Sequence, residues 1–575
     1  MHALLPSSLI PLRGMSVGSL GQRPMSGTLQ QATDVLDNIS GHLYGQFLAW
    51  LLVAVGIYFT LRMRGVQFRL FGRMVAAITS SRDSEDAAGG ISSFQAFAIS
   101  LASRVGTGNI IGVAIALTKG GPGAVFWMWV VALLGMATAF VEATLAQMYK
   151  VPNPDGTFRG GPAYYITRGL GNKFWASCFA VVIIFVFGFA YEATQANAIA
   201  GIAKHALGLE PIVTAVILVL ITAPIVFRGI RRVAVVTEWL APIMALAYVL
   251  LAIVILIMHA SYIPGTFKAI FESAFGGQQA FWGISGGFAT VALNGIKRGL
   301  FSNEAGEGSV PNAAATASTN HPVQQGFVQS MGVFVDTIVV CTATALIILV
   351  SGVYGPDGVG FSDPGSLTSA SVSNVLGGWA DYLLALMIFV FAYSSLLGNY
   401  TYAEINADFL LGRHGIHAVA QGAPEGQVIS SALDTDDEFA LLRDEHGNLM
   451  NKHGQRLDEH GQLLTPKGKV NNHYLLRSMI LVAAFIGSIA SLDFVWNFSD
   501  VAMGLMAIIN IIAISLLGKW AFAALKDWER QHKAVQEGRQ AHIRFVAEGN
   551  DLMPGQLPGH VWSKEAADEA EALRS

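Results

Sequence analysis

The sequence predicts an all-α polytopic membrane protein. Of its 575 residues, 53% are hydrophobic and only 13% are charged, whereas soluble domains carry about 25% charged residues. The hydrophobic residues fall in long runs, and about 20 mostly apolar residues suffice for a helix to cross a bilayer. Two of these runs, 92–118 and 279–318, are longer than one crossing requires and rich in glycine. They predict helices that are broken within the membrane.

The apolar runs divide the chain into about eleven predicted spans. They are 44–62, 92–118, 122–149, 174–203, 210–227, 233–259, 279–318, 325–353, 376–410, 474–491 and 496–518. The resulting segments are a polar lead (1–43), a transmembrane core (44–412), a hydrophilic insertion (413–473), the last two spans (474–520) and a charged tail (521–575).

Basic residues are concentrated in alternate loops between the predicted spans. They are Arg62, Arg64, Arg69, Arg73 and Arg82, then Lys150, Arg159, Arg168 and Lys173, then Arg228, Arg231 and Arg232. Because basic loops stay on the cytoplasmic side, we expect a multi-pass protein of the cell (inner) membrane. Its N-terminus is expected outside, and its insertion and C-terminus in the cytoplasm.

Bulk composition excludes several classes of function. A formal net charge of −4 does not favour a nucleic-acid partner. The only two cysteines, Cys178 and Cys341, form neither a disulfide framework nor a zinc motif. The chain also lacks the His-Glu-x-x-His motif of zinc metalloproteases. We therefore expect no enzyme and no organic cofactor.

The insertion contains a repeat with a period of seven residues. The units "DEHGNLM", "NKHGQRL" and "DEHGQLL" place His446, His453 and His460 in register, each followed by glycine. A glycine at this spacing favours turns over a helix. The histidines could form a metal site or a pH sensor, but the alternating charges favour a solvated insertion.

The stretch "SRVGTGNIIGV" (103–113) places polar residues and three glycines inside an apolar run. Unwinding here would free N–H groups for a carboxylate and C=O groups for Na⁺. Thr107 and Asn109 would add side-chain oxygens. The alternative is close helix packing through small residues, which Gly108 and Gly112 fit by their spacing.

Three further stretches carry a family resemblance: "GGPGAVFWMWVVALLG" (120–135), "RGLFSNEAGEGSVPNAAATA" (298–317) and "FAYSSLLGNYTYAEIN" (391–406). They resemble the alanine or glycine:cation symporters, the sodium:alanine symporter family. The resemblance covers about 44–412 and 474–520. It implies a LeuT-type fold, a 5+5 inverted repeat in which the two glycine-rich runs are the first and sixth core helices and 44–62 is an extra N-terminal helix.

The resemblance also implies binding roles for "VGTGN" (105–109), which is similar to the Val-Gly-x-Gly-Asn of neurotransmitter:sodium symporters. Thr107 and Gly108 would offer backbone N–H groups to the substrate carboxylate. Val105 would offer its carbonyl to Na⁺, and Asn109 a side-chain oxygen near the substrate.

Two predicted helices supply further candidate residues. Ser394 and Ser395 look like the side-chain half of a sodium site with Val105, and Asn399, one turn on, would leave room and a donor for a polar substrate. Tyr191 and Gln195 lie one turn apart on one helix face. The resemblance points to Gln195 as a substrate contact, and an interhelical hydrogen bond is the alternative.

The run 283–309 offers two possible breaks. One is Gly286–Gly287 with Phe288, which length counting places nearer the middle of the membrane, and the other is "NGIKRG" (294–299). We prefer the first and expect Gly287 and Phe288 to contact the substrate. Arg298, Glu304 and Glu307 would then form an ion-pair gate toward the cytoplasm, with a structural ion pair as the alternative.

These features together predict a secondary transporter that imports a small neutral amino acid of the alanine or glycine class with Na⁺ by alternating access. Its partners would be the amino acid, Na⁺ as the coupling ion, and the lipid bilayer. The alternatives are coupling to H⁺, a preference for glutamine or serine, and an ion channel. Broken helices in matched halves weigh against a channel.

Overall fold

The protein is mostly helical. The computed structural model describes residues 27–80, 91–152, 158–227, 230–275, 287–355, 364–414 and 474–572 except 560, with short pieces between 427 and 464. The described helices begin with α1 (Gly27–His42), α2 (Ala49–Arg62), α3 (Val66–Arg69), α4 (Phe71–Ser80), α5 (Ser93–Arg104), α6 (Ile111–Gly120), α7 (Gly123–Met148), α8 (Pro162–Leu170), α9 (Lys173–Phe185) and α10 (Tyr191–Leu207). They continue with α11 (Pro211–Val226), α12 (Ile230–Met258), α13 (Ile263–Ala274), α14 (Phe288–Asn303), α15 (Val310–Thr316), α16 (Pro322–Val333), α17 (Thr342–Val350), α18 (Pro364–Leu376), α19 (Ala380–His414), α20 (Tyr474–Ile489), α21 (Leu492–Gln536) and α22 (Lys564–Ala572).

Several of these helices join into longer rods. Segments of π-helix connect α1 to α2 (Leu43–Leu48), α9 to α10 (Val186–Ala190) and α16 to α17 (Phe334–Cys341). By length and composition, six described helices can cross a membrane, or eight if each of two sharply bent pairs counts as one span. These findings support an all-α, multi-pass membrane protein. The count of about eleven spans and the inverted repeat stay predictions.

The buried core lies between the rods. Helix α7 packs along α14 and α16, and α10 packs along α19 and α20. Outward-facing apolar residues of the flanking helices are largely exposed, such as Leu220 (66%) and Ile257 (72%). An exposed apolar surface of this kind suits contact with lipid rather than with water.

Short strands occupy two of the predicted loops. β1 (Val151–Pro152) pairs antiparallel with β2 (Phe158–Arg159). In the insertion, β3 (Gln427–Val428), β4 (Leu441–Arg443) and β5 (Leu449–Asn451) form an antiparallel sheet. The three repeat histidines, His446, His453 and His460, and residues 1–26 of the polar lead lie outside the described residues.

The chain after α21 folds back onto the end of the bundle where α7 ends. The Trp562 indole N–H donates to the Gln147 carbonyl (2.8 Å), and the Phe545 N–H donates to the Asn320 carbonyl (2.9 Å). The Phe545 ring packs on His321. The tail therefore covers the segment that joins α15 to α16.

Candidate functional site

The first glycine-rich run is broken where the sequence predicts. Helix α5 ends at Arg104, a short 3₁₀ turn covers Thr107–Asn109, and α6 begins at Ile111, with an angle of 58° between the two halves. The Gly106 N–H donates to the Asn109 Oδ1 atom (2.9 Å). The unwound backbone is thus partly satisfied by a side chain of its own segment, as a low-dielectric interior requires.

Helix α10 links this first break to the second glycine-rich run. Gln195 Oε1 accepts a hydrogen bond from the Thr107 N–H (3.3 Å). One turn earlier, the Tyr191 hydroxyl donates to the Glu307 carboxylate (3.2 and 3.3 Å to its two oxygens). The structure therefore brings both predicted α10 residues to the unwound segments.

The two predicted serines of α19 behave differently. The Ser395 hydroxyl donates to the Ala102 carbonyl (2.9 Å) and approaches the Val105 carbonyl (3.4 Å). The Ser394 hydroxyl instead donates to the Phe391 carbonyl of its own helix (2.9 Å). The structure therefore brings Ser395, and not the Ser394 hydroxyl, to the backbone of the first break.

Asn399 lies one turn beyond Ser395 and is also buried. Its Oδ1 atom accepts from the Ser103 hydroxyl (2.8 Å). Its Nδ2 atom has no hydrogen-bond partner among the described residues. The side chain thus presents an unused donor beside the first break.

Within the described residues, the second run breaks at 304–309, and the predicted break at Gly286–Gly287 lies at the edge of the part of the chain that the structure describes. Gly286 lies outside the described residues, and α14 runs uninterrupted from Phe288 to Asn303, through the alternative "NGIKRG". The break is marked by positive φ angles at Glu304 (56°), Gly306 (94°) and Gly308 (85°).

The break at 304–309 lies at the opposite end of α14 from Gly287 and Phe288, the two predicted substrate contacts. The Phe288 side chain is 41% exposed and packs edge-on against Trp127 (5.4 Å between ring centroids). Helix α14, which follows, has 16 residues and spans about 24 Å at 1.5 Å per residue. Gly287 and Phe288 therefore do not join the residues around the first break.

The predicted gate residues do not pair with one another. Arg298 binds both oxygens of Asp500 on α21, and Lys297 lies 3.0 Å from the same carboxylate. Glu304 and Glu307 lie within the break and not beyond it. Asp500 was missed because the sequence shows only a lone acid in an apolar run, which identifies no partner.

Glu304 joins the two breaks directly. Its Oε1 atom lies 3.1 Å from the Ser103 hydroxyl at the end of α5, which shares its one proton with Asn399 Oδ1, and its Oε2 atom accepts from Ser309 (2.5 Å). Glu304 therefore contacts the end of α5 next to the first break from within the second break.

A polar cluster around Asp336 was also missed by sequence reasoning. The Asp336 carboxylate accepts from Asn109 Nδ2 (2.6 Å), from the Ser302 hydroxyl (2.5 Å) and from the Thr337 hydroxyl (2.7 Å). The Cys341 sulfur lies 3.3 Å from Asn109 Nδ2. The available signal was Asp336 itself, the one acid in "VFVDTIVVCTATALIILV" (333–350), because an intramembrane carboxyl is a functional candidate by default.

Two broken helices that meet inside a bundle of apolar rods define a multi-pass membrane transporter. The family model of the sodium:alanine symporter family matches residues 29–444 and 460–542. The chain belongs to that family, as the sequence resemblance predicts. It is a transporter and not an enzyme.

Curated relatives match over nearly their whole lengths. The amino-acid carrier protein AlsT of Bacillus subtilis is 39% identical, over 87% of this chain and 92% of its own. The probable sodium/glutamine symporter GlnT of the same organism is 38% identical, over 88% and 93%. The sodium/alanine symporter AgcS of Methanococcus maripaludis is 34% identical, over 84% and 94%. Among solved structures, MhsT in complex with L-phenylalanine is similar with a TM-score of 0.48 and 13% identity, over 74% of this chain and 88% of that one.

Proposed function

We propose that this chain imports a small neutral amino acid, of the alanine or glycine class, together with Na⁺ by alternating access. The observation that carries the proposal is the meeting of the two unwound segments, 105–109 and 304–309, in the buried interior. Glu304 contacts Ser103, and Asn109 Nδ2 donates to the Ser302 hydroxyl (3.0 Å). Family membership and the name of AgcS, a sodium/alanine symporter, support the same function, and the name of AlsT supports transport of an amino acid.

The backbone N–H groups of Thr107 and Gly108 are proposed to hold the substrate carboxylate. The amide oxygen of Gln195 now accepts the Thr107 N–H. A carboxylate is a stronger acceptor than an amide, so it would take this position and release Gln195 to bind the rest of the substrate.

The aromatic surroundings favour a small substrate side chain. The Phe301 ring lies between Tyr191 (4.8 Å) and Trp496 (4.7 Å), measured between ring centroids. A Cβ atom added to Gly108 would lie 3.0 Å from Phe301. Little room remains beside this segment, which suits alanine or glycine. The unused Nδ2 donor of Asn399 favours a second candidate, a substrate with a polar side chain such as glutamine or serine.

Two groups of oxygen atoms are proposed to bind the coupling cation. The first combines the Val105 carbonyl with the Ser395 hydroxyl, and the Ser394 hydroxyl, which bonds within its own helix, is left out of it. The other combines Asp336 with Ser302 and the Asn109 segment. A buried carboxylate without a cation is costly, so Na⁺ at Asp336 would relieve that cost. A proton there is the H⁺-coupled alternative.

The proposed gate is the pair of Arg298 and Asp500, in place of the pairing expected from the sequence. The Arg298 guanidinium also lies over the Trp496 ring (5.0 Å to the centroid). In the orientation that the basic loops predict, this pair lies on the outer side of the second break, and not toward the cytoplasm as the sequence predicted. The pair must separate when the site opens to that side.

Uptake into proteoliposomes tests the proposed function. The purified protein is given a panel of labelled amino acids under an inward Na⁺ gradient, with K⁺ at the same ionic strength as the control. We expect concentrative, saturable uptake of alanine or glycine in Na⁺ alone, with counterflow. Uptake driven equally by a proton gradient in K⁺ would contradict Na⁺ coupling. Non-saturable flux without counterflow would indicate a channel.

A further inference from the structure

The second break leaves several backbone groups outside any helix. Inside a membrane protein these groups must find partners, because each unsatisfied one costs several kcal/mol. The Ala305 N–H donates to the Asn303 Oδ1 atom (3.0 Å), and Asn312 Nδ2 donates to the carbonyls of Gly308 (2.9 Å) and Ser309 (2.7 Å). These contacts come from residues adjacent in sequence. The peptide groups at Gly306 are held in a different way.

Gly306 is held by side chains from two other helices. Its N–H donates to the Glu142 Oε2 atom of α7 (3.0 Å), and its carbonyl accepts from the Asn510 Nδ2 atom of α21 (3.0 Å). Asn510 Nδ2 also donates to the Glu142 carboxylate, and the Tyr165 hydroxyl donates to Asn510 Oδ1. All three side chains are buried. The unwound residue is thus clamped from both sides.

The direction of every hydrogen bond in this clamp is set. Tyr165 donates to the amide oxygen of Asn510, which orients the amide so that its nitrogen faces Glu142 and Gly306. Glu142 then accepts hydrogen bonds on both of its oxygens and donates none, which a carboxylate does and a carboxamide cannot do.

We propose that Glu142 and Asn510 are positioning residues for transport: they hold Gly306 in its unwound conformation and so place Glu304 and Glu307 at the substrate site. This inference rests on the proposed function. Gly306 lies between the two glutamates, of which Glu304 contacts Ser103 and Glu307 contacts Tyr191. A change at Gly306 therefore displaces contacts to both α5 and α10.

A polarity exchange tests the clamp. In Glu142→Gln, the amide NH₂ must face either the Gly306 N–H or Asn510 Nδ2, both of which are donors. In Asn510→Asp, a carboxylate faces the Glu142 carboxylate and the Gly306 carbonyl, all acceptors. We expect each variant to raise KM for the transported amino acid by about tenfold or more, the range for a buried group left unpaired.

The double variant Glu142→Gln/Asn510→Asp restores a matched donor and acceptor between the two side chains. The new amide nitrogen at position 142 can donate to the new carboxylate at position 510, and the amide oxygen at position 142 accepts the Gly306 N–H. The carboxylate at position 510 still accepts from Tyr165, while the Gly306 carbonyl loses its donor, so the rescue is partial. We expect KM of the double variant to lie closer to wild type than that of either single variant. Equal or additive losses in the double variant would overturn the proposal.

Two further variants keep the test decisive. Tyr165→Phe removes only the hydroxyl that orients Asn510. We expect this variant to raise KM, while the melting temperature of the detergent-solubilised protein stays close to that of wild type. Glu272→Gln, an acid-to-amide change on the partly exposed face of α13, is the matched control and should leave KM unchanged. If wild type transports an amino acid and Glu142→Gln keeps the wild-type KM, the clamp is refuted; if wild type transports none, the proposed function fails instead.

Discussion

Replacing Gly106 by alanine is expected to abolish high-affinity substrate binding. A Cβ atom at Gly106 would overlap the Ser395 hydroxyl and lie 3.2 Å from Gln195 Oε1. The hydroxyl cannot withdraw freely, because it donates to the Ala102 carbonyl (2.9 Å). Overpacking a close-packed interior costs about 1–3 kcal/mol, and losing one buried hydrogen bond adds on the order of 1 kcal/mol. A total of about 2–4 kcal/mol corresponds to a loss of affinity of roughly 30- to 1,000-fold.

The same substitution at Gly112 is the matched control. Gly112 lies within α6, where an added Cβ atom would make an ordinary contact with Trp496 at 3.5 Å. Alanine is also favoured over glycine in a helix interior by about 1 kcal/mol. Gly112→Ala should therefore bind substrate normally and melt at the same or a higher temperature.

The assay is equilibrium binding of labelled alanine to purified protein in Na⁺, with melting temperature measured on the same samples. Gly108→Val extends the series, because its side chain would meet Phe301 and cover the N–H groups assigned to the carboxylate. We expect it to lose binding and uptake while still inserting in the membrane. Normal substrate binding by Gly106→Ala and Gly108→Val, together with loss of binding in Gly112→Ala, would show that the glycines of 103–113 serve only close helix packing.

Three further predictions concern cation binding, substrate binding and pH. Ser395→Ala should weaken Na⁺ activation of uptake more than Ser394→Ala, because only the Ser395 hydroxyl faces the first break; equal effects would contradict this assignment. Gln195→Ala should weaken substrate binding by about 1–3 kcal/mol in a protein that still inserts, and wild-type affinity would return Gln195 to a packing role. Burial lowers the pKa of His321 below its ordinary value, although the contact with Asp527 opposes the shift. As pH falls, His321 therefore takes up a proton in the unfolded chain before it does so in the folded protein. The folded protein is expected to lose stability as pH falls below about 6.5. The melting temperature of His321→Asn should fall less between pH 7 and pH 5 than that of wild type, and parallel curves would contradict the assignment.

The first break was predictable because its signal is local. Three glycines with Thr107 and Asn109 in an apolar run conflict with a straight lipid-facing helix, and the structure resolves the conflict by unwinding at that point. The long apolar rods were predictable for the same reason, since their periodicity and length depend only on nearby residues.

The second break and the polar partners were not predictable in this way. The sequence offered Gly286–Gly287 and "NGIKRG" (294–299) as breaks, whereas the described part of this run breaks at 304–309, where Glu142 and Asn510 of two other helices hold Gly306. Arg298 was assigned the wrong partner because Asp500 lies about 200 residues away in the chain. Such a pair forms when distant helices pack together, and no local sequence pattern indicates it. Asp336 and Asp500 are both isolated acids in apolar runs, a signal that marks a candidate residue but identifies no partner.

A structure of the protein with its transported amino acid and Na⁺ bound tests the central claim most directly. We predict that the substrate carboxylate lies within hydrogen-bond distance of the Thr107 and Gly108 N–H groups, with Gln195 Oε1 released from Thr107. The substrate would lie between the two breaks at 105–109 and 304–309. A substrate bound elsewhere, for example beside Gly287 and Phe288, with the Thr107–Gln195 hydrogen bond intact, would contradict the account.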